Sequence, residues 1–312
     1  MITATPQNEI IHCESYYKTC DYAYDQDLDF TPGSGIVHVH MDQIKNFFNQ
    51  NGNNGRDYTI VSSRSDIGLF YQKRAPVWAD MLKWLTLIPY FEETEIKHIG
   101  YNNLTIPSRK EDGCLIDDKY SAKCWSFTHY TFDEIPKNIK KWYAVNCMVD
   151  EAHGIPFGVK PGTEEGLSKG YTNKKDKTLY VNFQMCTSQR KAYIDYFNAA
   201  QLEWVTLRQE RIPSDQYINE MASHKFILCP DGNGPDCYRT WEALYLGSIP
   251  IVSHSKATSY FDDLPILFLN QNDGEISKEF LEEKYEEISS KEWNMEKITR
   301  GYWNNRIRQN GN

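Results

Sequence analysis

KFILCPDGNGPDCYRTWEALYLGSIPIVS, residues 225–253, reads as strand, glycine-bearing loop, short helix and second strand. Phe226, Ile227 and Leu228 form a brief apolar run that Pro230 stops. In Asp231-Gly232-Asn233-Gly234-Pro235 the glycines let backbone approach a ligand closely. Asp236 stands where it can cap the following helix, Gly247 can end it, and Ile249-Pro250-Ile251-Val252 resumes extended chain. Arg239 and Glu242 are three residues apart and share a helix face, whereas Trp241, Leu244 and Tyr245 form an apolar stripe on another. A first-turn arginine is disfavoured by the helix dipole unless an anion lies beside it. A diphosphate held by Arg239, the Pro230-to-Gly234 loop and the helix amides supplies that anion, and Glu242 can accept from a ribose diol. The same spacing also fits a plain Arg239–Glu242 ion pair on an exposed helix.

Outward from this block, strands and helices alternate. Gly35 to His40 reads as a strand, Met41 to Phe48 as a helix, Tyr58 to Ser62 as a strand, Pro76 to Leu87 as a helix and Trp142 to Asn146 as a strand. Pro156 to Lys177, rich in Gly, Lys and Thr, reads as an interdomain segment. Strands at Thr178–Phe183 and Trp204–Leu207 and helices near 189–199 and 213–223 follow, and Lys278 to Arg308 reads as helix. Such alternation implies parallel sheets. The predicted domains are 1–158, 159–285 and a C-terminal helix, 286–312, packing back on the first lobe.

Composition agrees. The 312 residues are 40% hydrophobic and 14% aromatic, enough to build two ordinary cores. A formal charge of −9 argues against sequence-independent nucleic-acid binding, which needs a basic surface. No run of about eighteen apolar residues and no signal-peptide pattern is present, so the chain as it stands reads as soluble and cytoplasmic, and a Golgi-lumen address requires an anchor outside it. Eight cysteines without Cys-x-x-Cys spacing read as reduced, mostly buried thiols.

Cys229-Pro230, Gly232, Gly234, Arg239, Glu242-Ala243 and Gly247-Ser248-Ile249-Pro250-Ile251-Val252 together resemble the donor-site signature of exostosin-like glycosyltransferases. TIVSSRSD (59–66) and IKKWYAVNCMVDEAHGIPFGVKP (139–161) resemble two further blocks of that family, with Arg64 where relatives carry Asn. The resemblance implies the GT-B fold: two Rossmann-like α/β lobes with parallel sheets facing a central cleft. It also implies an inverting transfer of sugar from a nucleotide sugar to a glycan or glycoprotein hydroxyl. UDP-linked donors, UDP-xylose first, are expected, with GDP-fucose as the alternative and no cofactor beyond the donor. Virus-encoded and Golgi xylosyltransferase-like relatives belong to the same group.

Such chemistry needs a stabilised leaving diphosphate and a base for the acceptor proton. Arg239 is the expected stabiliser, with Arg190, Lys225 and Arg208 as further cations. Asp66, which matches an Asp of the family pattern on the loop after a strand, is the expected base. Asp150, Glu151 and His153 form a second cluster, and His38 and His40 share a strand face where packed core histidines are also found. Two alternatives remain open. Asp25-x-Asp27 and Asp27-x-Asp29 fit the carboxylate pairs of metal-dependent transferases, although an acidic surface loop fits as well. The chain also fits a catalytically silent glycan- or nucleotide-binding module.

Overall fold

The computed structural model describes residues 4–24, 31–63, 69–71, 130–132, 134–147, 149–184, 188–232, 234–269 and 276–309. In chain order, β1 (Tyr22–Tyr24), β2 (Gly35–Val39), α1 (Ile44–Asn51), β3 (Tyr58–Ser62), β4 (Leu69–Tyr71), β5 (Tyr130–Phe132), β6 (Ile139–Ala144) and β7 (His153–Gly154) make the first half. The second comprises α2 (Glu164–Gly170), β8 (Lys177–Asn182), α3 (Ser188–Ala200), β9 (Val205–Arg208), α4 (Ser214–Ala222), β10 (His224–Leu228), α5 (Tyr238–Tyr245), β11 (Ile249–Ser253), β12 (Leu267–Leu269), α6 (Lys278–Ser289) and α7 (Arg300–Gln309).

Two five-stranded, wholly parallel sheets result, the two-lobed α/β architecture expected of the GT-B class. The first runs β1-β2-β3-β6-β7 in chain order, and β4 pairs β5 apart from it. The second runs β9-β8-β10-β11-β12, so its order reverses between β8 and β10. At such a reversal the connections leave on opposite faces and open a crevice beyond the carboxyl ends of the two strands.

Strand parity decides what each face covers. Leu179 and Val181 of β8, with Phe226 and Leu228 of β10, join Ile194 and Phe197 of α3 and Leu281 and Ile288 of α6 in one core. Tyr180 and Ile227 point the other way, into a core continuous with the first lobe through Trp241, Leu244, Tyr245, Ile155 and Phe157. Apolar packing therefore runs unbroken from lobe to lobe.

Polar contacts fix their register. Asn146, in left-handed backbone at φ 47° after β6, accepts from Asp236 N at 2.7 Å and donates to Asp236 O at 3.3 Å. The Asp236 carboxylate accepts from Phe157 N (2.8 Å) and the Trp241 indole (2.7 Å). Tyr260, in a 3-10 turn after β11, donates to Ala152 O at 3.1 Å, and its ring lies where a side chain on Gly154 would be.

Three expectations change. Residues 164–170, read as part of a linker, form α2; its glycines and lysine hide a helix that buries only Leu167. The run from 278 to 308 is two helices, because Trp293 folds back to donate to Ile288 O at 2.8 Å and Asn294 N donates to Asp263 O. Asp236 does not cap α5: the cap position is Cys237, without a side-chain cap hydrogen bond. The predicted helix at 76–87 lies outside the described residues. The described cysteines, Cys13, Cys20, Cys147, Cys229 and Cys237, are all free.

Candidate active site

The crevice at the β8/β10 reversal is bordered by Phe183 and Gln184 after β8, by Pro230 to Gly232 after β10 and by the first turn of α5. Phe183, one residue past β8, is flanked by two guanidinium groups, those of Arg190 and Arg239, each 5.7 Å from the ring centre. Their situations differ sharply. Arg190 is buried and committed to carbonyls: Nε donates to Asp231 O (2.9 Å), Nη2 to Pro230 O (3.1 Å) and Nη1 to Gln184 O (3.4 Å). It pins the Pro230-to-Gly232 loop to α3, and its Nη2 would be 3.1 Å from a Cβ on Gly232. Arg190 thus shapes the loop, with much of its donor capacity spent on protein.

Arg239, half-buried in the first turn of α5, makes no hydrogen bond or ion pair among the described residues, and its Nε is buried without a partner. Burial works against its charge, but Tyr217, Cys237, Cys229 and Glu242 outweigh that and hold it protonated. The surface ion pair with Glu242 is not formed. Glu242 Oε2 instead accepts from the Tyr217 hydroxyl of α4 at 2.7 Å. Burial pushes the Glu242 carboxyl up, against the pull of Arg239, the Tyr217 hydroxyl and Lys160. Beneath the loop, Asp231 is pushed up to about 6 by burial, opposed by the Ser253 hydroxyl, 2.7 Å from Oδ1, and by Arg190. Gly232 N donates to Gly234 O, so that amide is turned inward. Asn233 lies outside the described residues.

Two further cations are placed elsewhere. Lys225 sits at the opposite, amino end of β10, where it pairs with Glu282 of α6 and covers the Tyr285 ring at 4.7 Å. Arg208 forms a two-point pair with Glu220, Nη2–Oε1 at 2.9 Å and Nε–Oε2 at 3.1 Å. Adjacency in sequence to a loop could not reveal either commitment.

On the first lobe, Asp66, Asp25 and Asp27 lie outside the described residues. Asp150 is exposed and paired with Lys256 across the lobes, and Glu151 is exposed. His153 is exposed on β7 and held below the usual histidine range by partial desolvation, Arg306 and Lys141. His38 is a packed core histidine, as the alternative reading had it. It stacks on Tyr17 at 3.9 Å, and because Ser63 Oγ donates to Cys13 O, His38 Nε2 must donate to Ser63, 2.8 Å away. His40 follows β2, half-buried.

The family described as RXYLT1 C-terminal domain matches residues 167–273, which contain Phe183, Arg190, Tyr217, Arg239 and Glu242. Over residues 167–273 the chain is similar to this exostosin-related, xylosyltransferase-like family. The matched stretch takes in the whole second sheet, and the match supports a glycosyltransferase. No curated sequence matches the chain. A solved structure of trehalose-6-phosphate synthase, described for glycosyl transfer with retention using bisubstrate glycomimetics, aligns over 83% of this chain and 70% of its own, with 10% identity and a TM-score of 0.34. That likeness is too distant to bear on the chemistry. Among the described residues no helix is long and apolar enough to cross a membrane, and no group of three or more His, Cys, Asp or Glu is placed to hold a metal.

Proposed function

We propose that this chain transfers a sugar from a nucleoside diphosphate sugar, UDP-linked and with UDP-xylose first, to a hydroxyl of a glycan or glycoprotein, with inversion and without a catalytic metal. The observation that carries the reading is Arg239: a cation in the first turn of a helix at the switch point of a parallel sheet, uncommitted among the described residues. There the helix dipole and a desolvated guanidinium both favour an anion. As the sugar–phosphate bond breaks, charge grows on the leaving diphosphate. Arg239 neutralises it in place, without reorganisation. Glu242, one turn along on the same face, takes the ribose hydroxyls. Asp66 is proposed as the base that receives the acceptor proton.

The test is donor turnover. Arg239→Ala should lower kcat more than a hundredfold, about 3 kcal/mol of lost charge stabilisation, while Glu242→Ala should mainly weaken nucleotide binding. Near-normal turnover in Arg239→Ala rejects the phosphate role. Thermal shifts with UDP-xylose, UDP-glucuronate, UDP-galactose and GDP-fucose identify the nucleotide through linkage. Saturating EDTA should leave the rate intact, and loss of rate restored by manganese would return the reading to the Asp25/Asp27 metal site. A chain that binds donor yet never releases free UDP would be a binding module.

A further inference from the structure

We infer that Tyr217 is a positioning residue that fixes how the site reads the donor's ribose, an inference that rests on Glu242 being the ribose contact. Tyr217 sits on α4, a helix outside the donor loop, and its ring lies 6.3 Å from that of Tyr180, the inward-facing residue of β8. Its hydroxyl reaches Glu242 Oε2 at 2.7 Å. That hydrogen bond uses one lone pair of Oε2 and sets how the carboxylate plane lies. The other oxygen, Oε1, accepts no hydrogen bond among the described residues. Arg239 on the same face of α5 leaves Glu242 unpaired and turns to Phe183.

The arrangement has a chemical consequence. A carboxylate with both oxygens loose could accept from the ribose diol in several orientations, or from other donors on the ligand. With Oε2 tied to the phenol, the carboxylate plane is fixed, and a ribose hydroxyl must meet the lone pairs of Oε1 where that plane places them. Selectivity for a ribonucleotide over its 2′-deoxy counterpart then depends on a tyrosine that touches neither. Sequence alone hides this, because Tyr217 precedes Ile218 and Met221 and reads as one more apolar-face residue of α4.

The experiment measures binding of UDP and GDP and of their 2′-deoxy counterparts to wild type, Tyr217→Phe and Glu242→Gln, alongside donor KM and kcat. We expect Tyr217→Phe to cut the preference for the better-bound ribonucleotide over its deoxy form about tenfold, the worth of one well-placed hydrogen bond. It should also raise donor KM while leaving kcat at saturating donor near the wild-type value. A merely structural tyrosine would lower binding of both forms equally. Loss of the preference in Glu242→Gln but not in Tyr217→Phe overturns the role of Tyr217 and leaves the ribose contact standing. Retention of the preference in both variants, or absence of nucleotide binding in wild type, overturns the ribose contact and this inference with it.

Discussion

Replacing Asn146 should loosen the junction between the lobes. Its side-chain amide accepts from Asp236 N at 2.7 Å and reaches Asp236 O at 3.3 Å, and both residues are buried. Asn146→Gly removes both contacts without straining the left-handed backbone at φ 47°. It leaves a strongly bonded N–H and a weakly bonded carbonyl in a dry interior, where a stranded polar group costs about 1–3 kcal/mol. Taking the N–H near the middle of that range and the long contact near its foot gives about 3 kcal/mol. With an unfolding entropy of about 2.1 cal/mol/K per residue over 312 residues, that corresponds to a fall of roughly 5 °C in the melting midpoint. Asn146→Ala should lose about 1 kcal/mol more, since a Cβ disfavours left-handed backbone. Urea or thermal denaturation of the three proteins, side by side, makes the comparison. A Gly variant within about 1 kcal/mol of wild type would show that apolar packing alone holds the lobes together, and the reasoning would fall.

Burial pushes His224 down to about 4; it is locked as a neutral ring by Glu220 O at Nδ1 and by Thr206 Oγ1, 2.8 Å from Nε2. Its folded value is below its unfolded value of about 6.5, so its contribution is present above pH 6.5 and lost as pH falls towards 4, about 3 kcal/mol across that window. Asp231 and Asp236, pushed up to about 6 and about 7, act oppositely, their contribution being present below about pH 4 and lost as pH rises through those values. The check is therefore the difference between wild type and His224→Asn, which should be largest near pH 7 and shrink towards pH 4.5; a constant difference refutes the assignment. Gly154→Ala places a Cβ 2.2 Å from Tyr260 Cδ2 and should destabilise by about 1–3 kcal/mol as the ring is pushed from Ala152; an unchanged midpoint in the same denaturation would show that the ring yields freely.

The second lobe was legible because its signals are local. Pro230 ends β10, Gly247 at φ 75° ends α5, and the apolar runs between them have the right lengths. β1 was not, since Tyr22-Ala23-Tyr24 is three residues among acidic neighbours, and β7 is too short for any period to show. At the site, sequence could find arginines near loops but not tell Arg190 from Arg239. That difference is one of partners: one fork is spent on carbonyls, and the other has no hydrogen bond among the described residues. Tyr217 was missed for the same reason, its role lying in a contact twenty-five residues away.

The helix α7 belongs in space to the lobe from which it is farthest in sequence. Gly301 N donates to Glu9, Thr19 bonds Asn304, Tyr143 donates to Arg306 O and Arg308 faces Asp21. On a ribosome, chains generally fold in the order in which they emerge. Here the sheet of the first lobe is synthesised early but waits for α7, which follows the whole of the second lobe, whereas the strands of the second sheet all emerge before that helix. The lobe made first is finished last, and until then the side chains that meet this helix, Glu9, Thr19 and Asp21 among them, wait without it.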